Sequence, residues 1–166
     1  MGDQKVAIYL RQNCLKYELN SVKVLSKASV YGLRALLYIA GYKAQGEYVS
    51  IRELSDELKI SFHFLTKILQ SLTQRGLLES YRGPNGGIAL KMAPEEIFLI
   101  DVVNIIEGQD FFDSCLLGLP GCGTFDPCPV HDFWKVTKAA LKNEFATTSL
   151  AELSGKVSEK RLRLIG

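Results

Sequence analysis

Ser50-Ile-Arg-Glu-Leu-Ser-Asp-Glu-Leu-Lys-Ile-Ser61-Phe-His-Phe-Leu-Thr-Lys-Ile-Leu-Gln-Ser-Leu-Thr-Gln-Arg75 decides the fold. Ser50 and Glu53 form a capping-box pattern, in which the serine hydroxyl takes the Glu53 N–H and the glutamate reaches back. The helix opened there turns Ile51, Leu54 and Leu58 inward and ends near Lys59-Ile60. Ser61 caps the next helix, which runs to about Arg75. In it Phe62, Leu65, Ile68, Leu69 and Leu72 recur at three and four, the spacing of a buried stripe. The opposite stripe is His63, Lys67, Gln70 and Gln74, with Thr66 alongside. A merely solvated face would carry acidic residues and Glu–Lys pairs four apart. This one has no carboxylate. Two short helices joined by so few residues, the second polar to basic outside, follow the helix-turn-helix plan.

Working outward, Gly76 stops the second helix. Leu77–Tyr81 and Gly87–Lys91 read as two strands, with the turn sequence Arg82-Gly83-Pro84-Asn85-Gly86 between them. A hairpin could be only a hairpin, but directly after such a helix it is a wing. Arg82 and the bare backbone at Gly83 suit a narrow, electronegative minor groove. Upstream, residues 26–43 form a helix with Ser26 as N-cap and Ala28, Tyr31, Ala35, Leu36, Ile39 and Ala40 as its apolar face. Downstream, Pro94 opens a fourth, long helix through Ile97, Ile100, Val103 and Ile106 to Gly108. Glu95 and Glu96 occupy its first turn, where the dipole favours them. Residues 130–146 form a further helix with apolar Phe133, Trp134, Val136, Leu141 and Phe145. That face needs a partner, and the same helix of a second subunit supplies one, giving a two-fold homodimer. Residues 149–166 end in a basic tail, Lys160-Arg-Leu-Arg163.

The chain has 166 residues, 47% of them hydrophobic, enough for one core with an appendage. No apolar run reaches membrane-spanning length, and residues 1–20 resemble neither a signal nor a transit peptide. A cytoplasmic protein without membrane contact is expected. The net charge of +2 conceals an asymmetry: residues 21–92 carry ten Lys/Arg against five Asp/Glu, residues 93–166 seven against eleven. A basic front half and an acidic back half suggest that the front meets a polyanion. There is no phosphate loop, dinucleotide fingerprint or C-x-x-C, which argues against an enzyme.

Three of the four cysteines lie in Ser114-Cys115-Leu-Leu-Gly-Leu-Pro-Gly-Cys122-Gly-Thr-Phe-Asp-Pro-Cys128-Pro-Val-His131. Read as ligands, the spacing is C-x6-C-x5-C-x2-H. The intervening Gly and Pro residues let a short loop fold back so that several sulfurs face one point. Three thiolates and an imidazole suit a thiophilic metal or an iron–sulfur cluster. Buried or disulfide-bonded cysteines remain the plainer reading, although three leave one over and nothing signals an oxidising compartment. Structural zinc remains open too, as part of a winged-helix interaction module, without the tight C-x2-C knuckles it usually shows. Cys14 stands apart from any motif.

Leu25-Ser26, Tyr31-Gly-Leu-Arg-Ala-Leu36, Phe64-Leu65, Lys67-Ile-Leu69, Gly76-Leu77, Arg82-Gly-Pro-Asn-Gly-Gly87, Val102-Val103, Glu107-Gly108 and the three cysteines together resemble the Rrf-two (Rrf2) family of winged-helix regulators. The resemblance covers about residues 24–153. It implies a mainly α fold with a small β-hairpin wing, organised as an N-terminal extension (1–22), a winged helix-turn-helix domain (23–93), a cluster loop with dimerisation helices (94–150) and a C-terminal tail (151–166). It further implies a transcriptional regulator that binds a double-stranded operator and senses iron–sulfur status, redox state or nitric oxide. Cys128-Pro-Val-His131-Asp-Phe-Trp134 is similar to the segment that holds a 2Fe–2S cluster in members of the family. On that likeness Cys115, Cys122 and Cys128 are thiolate ligands and His131 the fourth. Val30 stands where some members place a ligating polar residue, which closes the route to an Asp-ligated 4Fe–4S cluster. Ser61, His63, Thr66 and Lys67 match the family's DNA-contacting positions, with Gln70, Arg82 and Gly83 beside them. Thr66 replaces an acidic residue, so the operator need not be the same.

Overall fold

The structure, a computed structural model, describes residues 24–44, 46–83, 86–120, 123, 125–160 and 164. Helix α1 (Lys27–Tyr42) leads into the pair α2 (Ile51–Leu58) and α3 (Phe62–Gln74). Strands β1 (Leu78–Tyr81) and β2 (Gly87–Leu90) follow, then α4 (Leu99–Glu107), α5 (His131–Thr147) and α6 (Leu150–Lys160). The expected mainly α fold with a two-stranded wing is what forms. The strands pair antiparallel, Leu78 opposite Leu90 and Tyr81 opposite Gly87. Val49 adds a bridge to Ile88 through reciprocal backbone hydrogen bonds of 2.9 Å. That bridge is why position 87 is glycine: a Cβ there would lie 2.3 Å from the Val49 carbonyl oxygen.

Helix α1 is the hub, packed by α2, α3, α4 and α6. Its Leu36 joins Leu54, Leu58, Leu65, Leu69 and Leu72 as fully buried core. Arg34 reaches from α1 to the helix-turn-helix, its Nη2 donating to the Leu58 carbonyl at 2.8 Å. This satisfies one of the orphan carbonyls at the end of α2. Lys59 then turns the chain in a left-handed conformation, φ 55°. Ser55 Oγ donates to the Ile60 carbonyl at 2.7 Å and closes the turn.

The expected capping box forms only by half. Ser50 Oγ accepts from Glu53 N at 3.1 Å. Glu53, instead of reaching back, pairs with Lys43 at 2.8 Å and raises the lysine's pKa through that hydrogen bond. A cation at the end of α1 outcompetes a backbone N–H for the carboxylate.

Two further expectations are corrected. The long helix from Pro94 is broken: Pro94–Glu96 is a single 3-10 turn and α4 starts at Leu99. Between them the backbone is extended, because Ile97 and Phe98 bond to the 148–150 segment. Leu150 N donates to Ile97 O at 2.7 Å, and Leu99 N to Thr148 O at 3.1 Å. Asp101 Oδ2 accepts from Phe98 N and caps the new start. The stretch from 149 is not all tail. Residues 150–160 form α6, which packs on α1 with Leu150, Ser154 and Val157 buried. Residues 161–163 of the basic run lie outside the described residues, as do residues 1–23 with Cys14.

One polar clamp joins the start of α1 to the end of α4. Glu107 Oε1 accepts from Ser29 Oγ at 2.6 Å and from Ser26 N at 2.8 Å. The carboxylate thus sits at the positive end of α1. Burial pushes its pKa up, but the bonds from Ser29 and Ser26 outweigh burial and hold it below the ordinary value. Its stabilising effect is therefore full above the unfolded-state pKa and lost as pH falls through the folded one. Glu107→Gln should cost roughly 1 kcal/mol at pH 7. Urea unfolding at pH 7 and again below pH 4 checks this: the gap between variant and parent should close in acid.

Candidate nucleic-acid interface and cysteine loop

The core stripe of α3 fixes what its other side presents. With Leu65, Ile68, Leu69 and Leu72 buried, His63, Lys67, Gln70 and Gln74 are exposed. Ser61 is the N-cap by backbone conformation, but its side chain makes no capping bond. Its hydroxyl is free for an outside acceptor. Thr66 is half-buried, and its hydroxyl donates to the Phe62 carbonyl one turn back at 2.7 Å. Phe62 departs from expectation. It is 38% exposed, not part of the buried stripe. The Arg52 guanidinium lies over its ring at 5.5 Å.

The wing stands beside this face. Arg82 follows β1 directly and is exposed, as is Gly83, whose φ of 150° excludes most side chains. Pro84 and Asn85 lie outside the described residues. Between α3 and the wing runs an open cleft of about 640 Å³, whose lining includes Thr66, Gln70, Gln74, Tyr81 and Arg82. Its lining mixes these groups with Ile51, Leu69 and Ile88 and carries no carboxylate. Sequence reasoning had no signal for Arg52, hidden inside the capping-box pattern, or for Tyr81, read only as a strand end. Tyr81 packs against Tyr48 with the rings tilted and 5.8 Å apart, and Tyr48 in turn donates to Glu79 at 2.7 Å, which ties the base of the wing to the segment before α2.

The cysteine loop departs from the end of α4. A 3-10 turn, Phe111–Asp113, comes first, and Phe112 is buried edge-on against Phe145 of α5. Three contacts then tie the loop to α5. The Trp134 indole N–H donates to the Ser114 carbonyl at 2.9 Å, Lys138 donates to the Asp113 carbonyl at 3.0 Å, and Lys142 pairs with the Asp113 carboxylate at 3.2 Å. Cys115, next to Ser114, is half-buried and lines a small cavity of about 210 Å³ with Phe112, Leu116, Trp134 and Leu141. Cys128, also half-buried, ends the other arm of the loop. Its carbonyl accepts from His131 N at 2.9 Å, where His131 begins α5. Hence Cys115 and the Cys128–His131 turn are both anchored to the first half of α5. Cys122 lies outside the described residues. Among the described residues no three His, Cys, Asp or Glu side chains gather as metal ligands.

Helix α5 proves to have two apolar sides where one was expected. Trp134, Leu141 and Phe145 are half-buried against their own chain. Phe133 and Val136 face away, 67% and 72% exposed. No helix among the described residues is long and apolar enough to cross a membrane.

Comparison with known proteins bears on all of this. The Rrf2 family, described as an iron-dependent transcriptional regulator, matches residues 25–156. The transcriptional regulator IscR of Xenorhabdus nematophila is 28% identical over 129 residues, 78% of this chain and 77% of that protein. Among solved structures, CymR, the global cysteine regulator of B. subtilis, superposes with a TM-score of 0.65 at 26% identity, covering 79% of this chain and 95% of CymR. IscR of T. potens gives 0.65 at 22% identity over 84% and 91% of the two chains, a likeness of fold. With that family match spanning the winged helix-turn-helix, the cysteine loop and the helices around it, the chain belongs to the Rrf2 family of transcriptional regulators.

Proposed function

We propose that the protein regulates transcription as a homodimer on a two-fold DNA operator, and that an iron–sulfur cluster held by the loop 115–131 sets its affinity. The observation that carries the DNA reading is the carboxylate-free exposed face of α3, beside a wing that presents Arg82 across an open cleft without carboxylates. In this reading Ser61, His63, Thr66, Lys67 and Gln70 enter the major groove, and Arg82 and Gly83 reach the adjacent minor groove. The exposed Phe133 and Val136 of α5 favour a second copy of the same helix as their cover.

For the loop, the donor chemistry fits: three soft thiolates and one imidazole suit a 2Fe–2S cluster. Cys115, Cys122 and Cys128 would hold it, with His131 as fourth ligand. Such a group supplies one-electron redox chemistry and a bond network sensitive to its loss. What this chain contributes is coupling. The Asp113–Ser114 segment is fastened to Trp134, Lys138 and Lys142 of α5. The chain enters this loop from the end of α4 at Glu107, which clamps the start of α1. A rearrangement of 115–131 therefore pulls on the dimer helix and on the hub helix that packs against α3.

Three outcomes are expected. Arg82→Ala should weaken binding to a selected operator by about 1–3 kcal/mol, and Lys67→Ala should lower the slope of log affinity against log salt by about one; fluorescence anisotropy at several salt concentrations measures both. Binding without dyad symmetry, indifferent to Arg82, would refute the DNA reading. For the loop, alanine at Cys115, Cys122 or Cys128 should remove most iron and sulfide from anaerobically purified protein, while Cys14→Ala leaves the content unchanged. His131→Ala should leave a labile cluster with altered visible absorption. Finally, Val136→Glu should shift the sedimenting species from dimer toward monomer, with the far-ultraviolet circular dichroism unchanged.

A further inference from the structure

We propose that Phe62, on the DNA-facing reading of α3 given above, is a specificity-determining residue that contacts the C5-methyl group of a thymine in each operator half-site. The stripe of α3 has five apolar members by spacing, and four are 0–5% exposed. Phe62 alone escapes, at the first turn. The N-terminal residues of a recognition helix are those that reach base edges.

The neighbours of Phe62 are not those of a core residue. Arg52 of α2 lies over one face of the ring at 5.5 Å, and the His63 ring stands edge-on to it at 5.7 Å. A guanidinium over the ring attracts it by about 0.5–1 kcal/mol at an exposed site and so favours this position. Arg52 is itself exposed at the opening of α2, the helix that crosses the phosphate backbone in this motif. Phe64, exposed to a similar degree on the other flank, already has an intramolecular partner, since Tyr31 of α1 packs edge-on against it at 5.7 Å. The ring partners of Phe62 are the Arg52 guanidinium and the His63 imidazole, and Thr66, one turn on, has its hydroxyl committed to the Phe62 carbonyl. The major groove offers one apolar group to such a surface, the thymine methyl. Phenylalanine has no hydrogen-bonding group, so its discrimination rests on that methyl.

The test is anisotropy binding to a selected operator and to versions in which each thymine in turn is replaced by deoxyuridine, which lacks only the methyl. The unmodified protein should lose about fourfold affinity per critical methyl, the equivalent of ~0.8 kcal/mol for one buried carbon. Phe62→Ala should bind thymine and uracil operators equally, and Phe62→Leu should keep part of the preference; thermal melting of both variants verifies folding. If the unmodified protein binds tightly but is indifferent to every replacement, or if Phe62→Ala retains the full preference, the inference fails while the DNA reading stands. If the unmodified protein binds no operator with sequence preference, the DNA reading fails and takes this inference with it.

Discussion

The structure depends on keeping one side of α3 dry and the other wet. Leu65, Ile68, Leu69 and Leu72 contribute about 1.5–3 kcal/mol each on burial, a sum comparable to the whole net stability of a small domain. Everything around the helix serves that stripe. Helix α2 covers it from one side, α1 lies beneath and α4 closes the far end. Because a helix repeats every 3.6 residues, burying those four side chains forces His63, Lys67, Gln70 and Gln74 into solvent. The candidate DNA face is thus a geometric consequence of the core.

The connections to the cysteine loop are of a different kind. Among the described residues they are mainly hydrogen bonds and one ion pair. The exposed Lys142–Asp113 pair contributes little by itself, within the usual ~0–1 kcal/mol for surface ion pairs. The Trp134–Ser114 bond is more directional, since the indole has one donor and the loop offers one carbonyl to it. Glu107 is the tightest of the set, with two donors on one oxygen at the start of α1. A loop tied among the described residues to α5, a helix with no fully buried side chain, can change without unfolding the core around α3. Segments of low local stability are the ones that open first.

Periodicity located α1, α2, α3 and the hairpin to within a residue or two, because each has a self-sufficient local pattern and recognisable caps. It misjudged Pro94–Glu107. Read locally, Pro94, Glu95 and Glu96 are a good helix start, but Ile97 and Phe98 are drawn into an extended bridge with the segment before α6. It also missed α6 beyond residue 149, whose apolar residues make sense only against α1. On the candidate interface, His63, Lys67, Gln70 and Arg82 were legible as exposed positions. Phe62 was not, since hydrophobic spacing cannot reveal that a cation from another helix occupies the space beside a ring.

The sequence by itself determined the identity of the local elements: the caps, the stripe spacing, the glycines of the wing and the grouping of three cysteines with a histidine. Those are properties of residues a few positions apart, and short-range sterics and hydrogen bonding decide them. Tertiary structure decided which apolar residues are truly buried, where α4 begins, which face of α5 is spent on its own chain, and that Glu107 clamps α1. Each of those joins residues dozens of positions apart. Their partners compete with local propensity, and only the assembled core settles which contact is stronger.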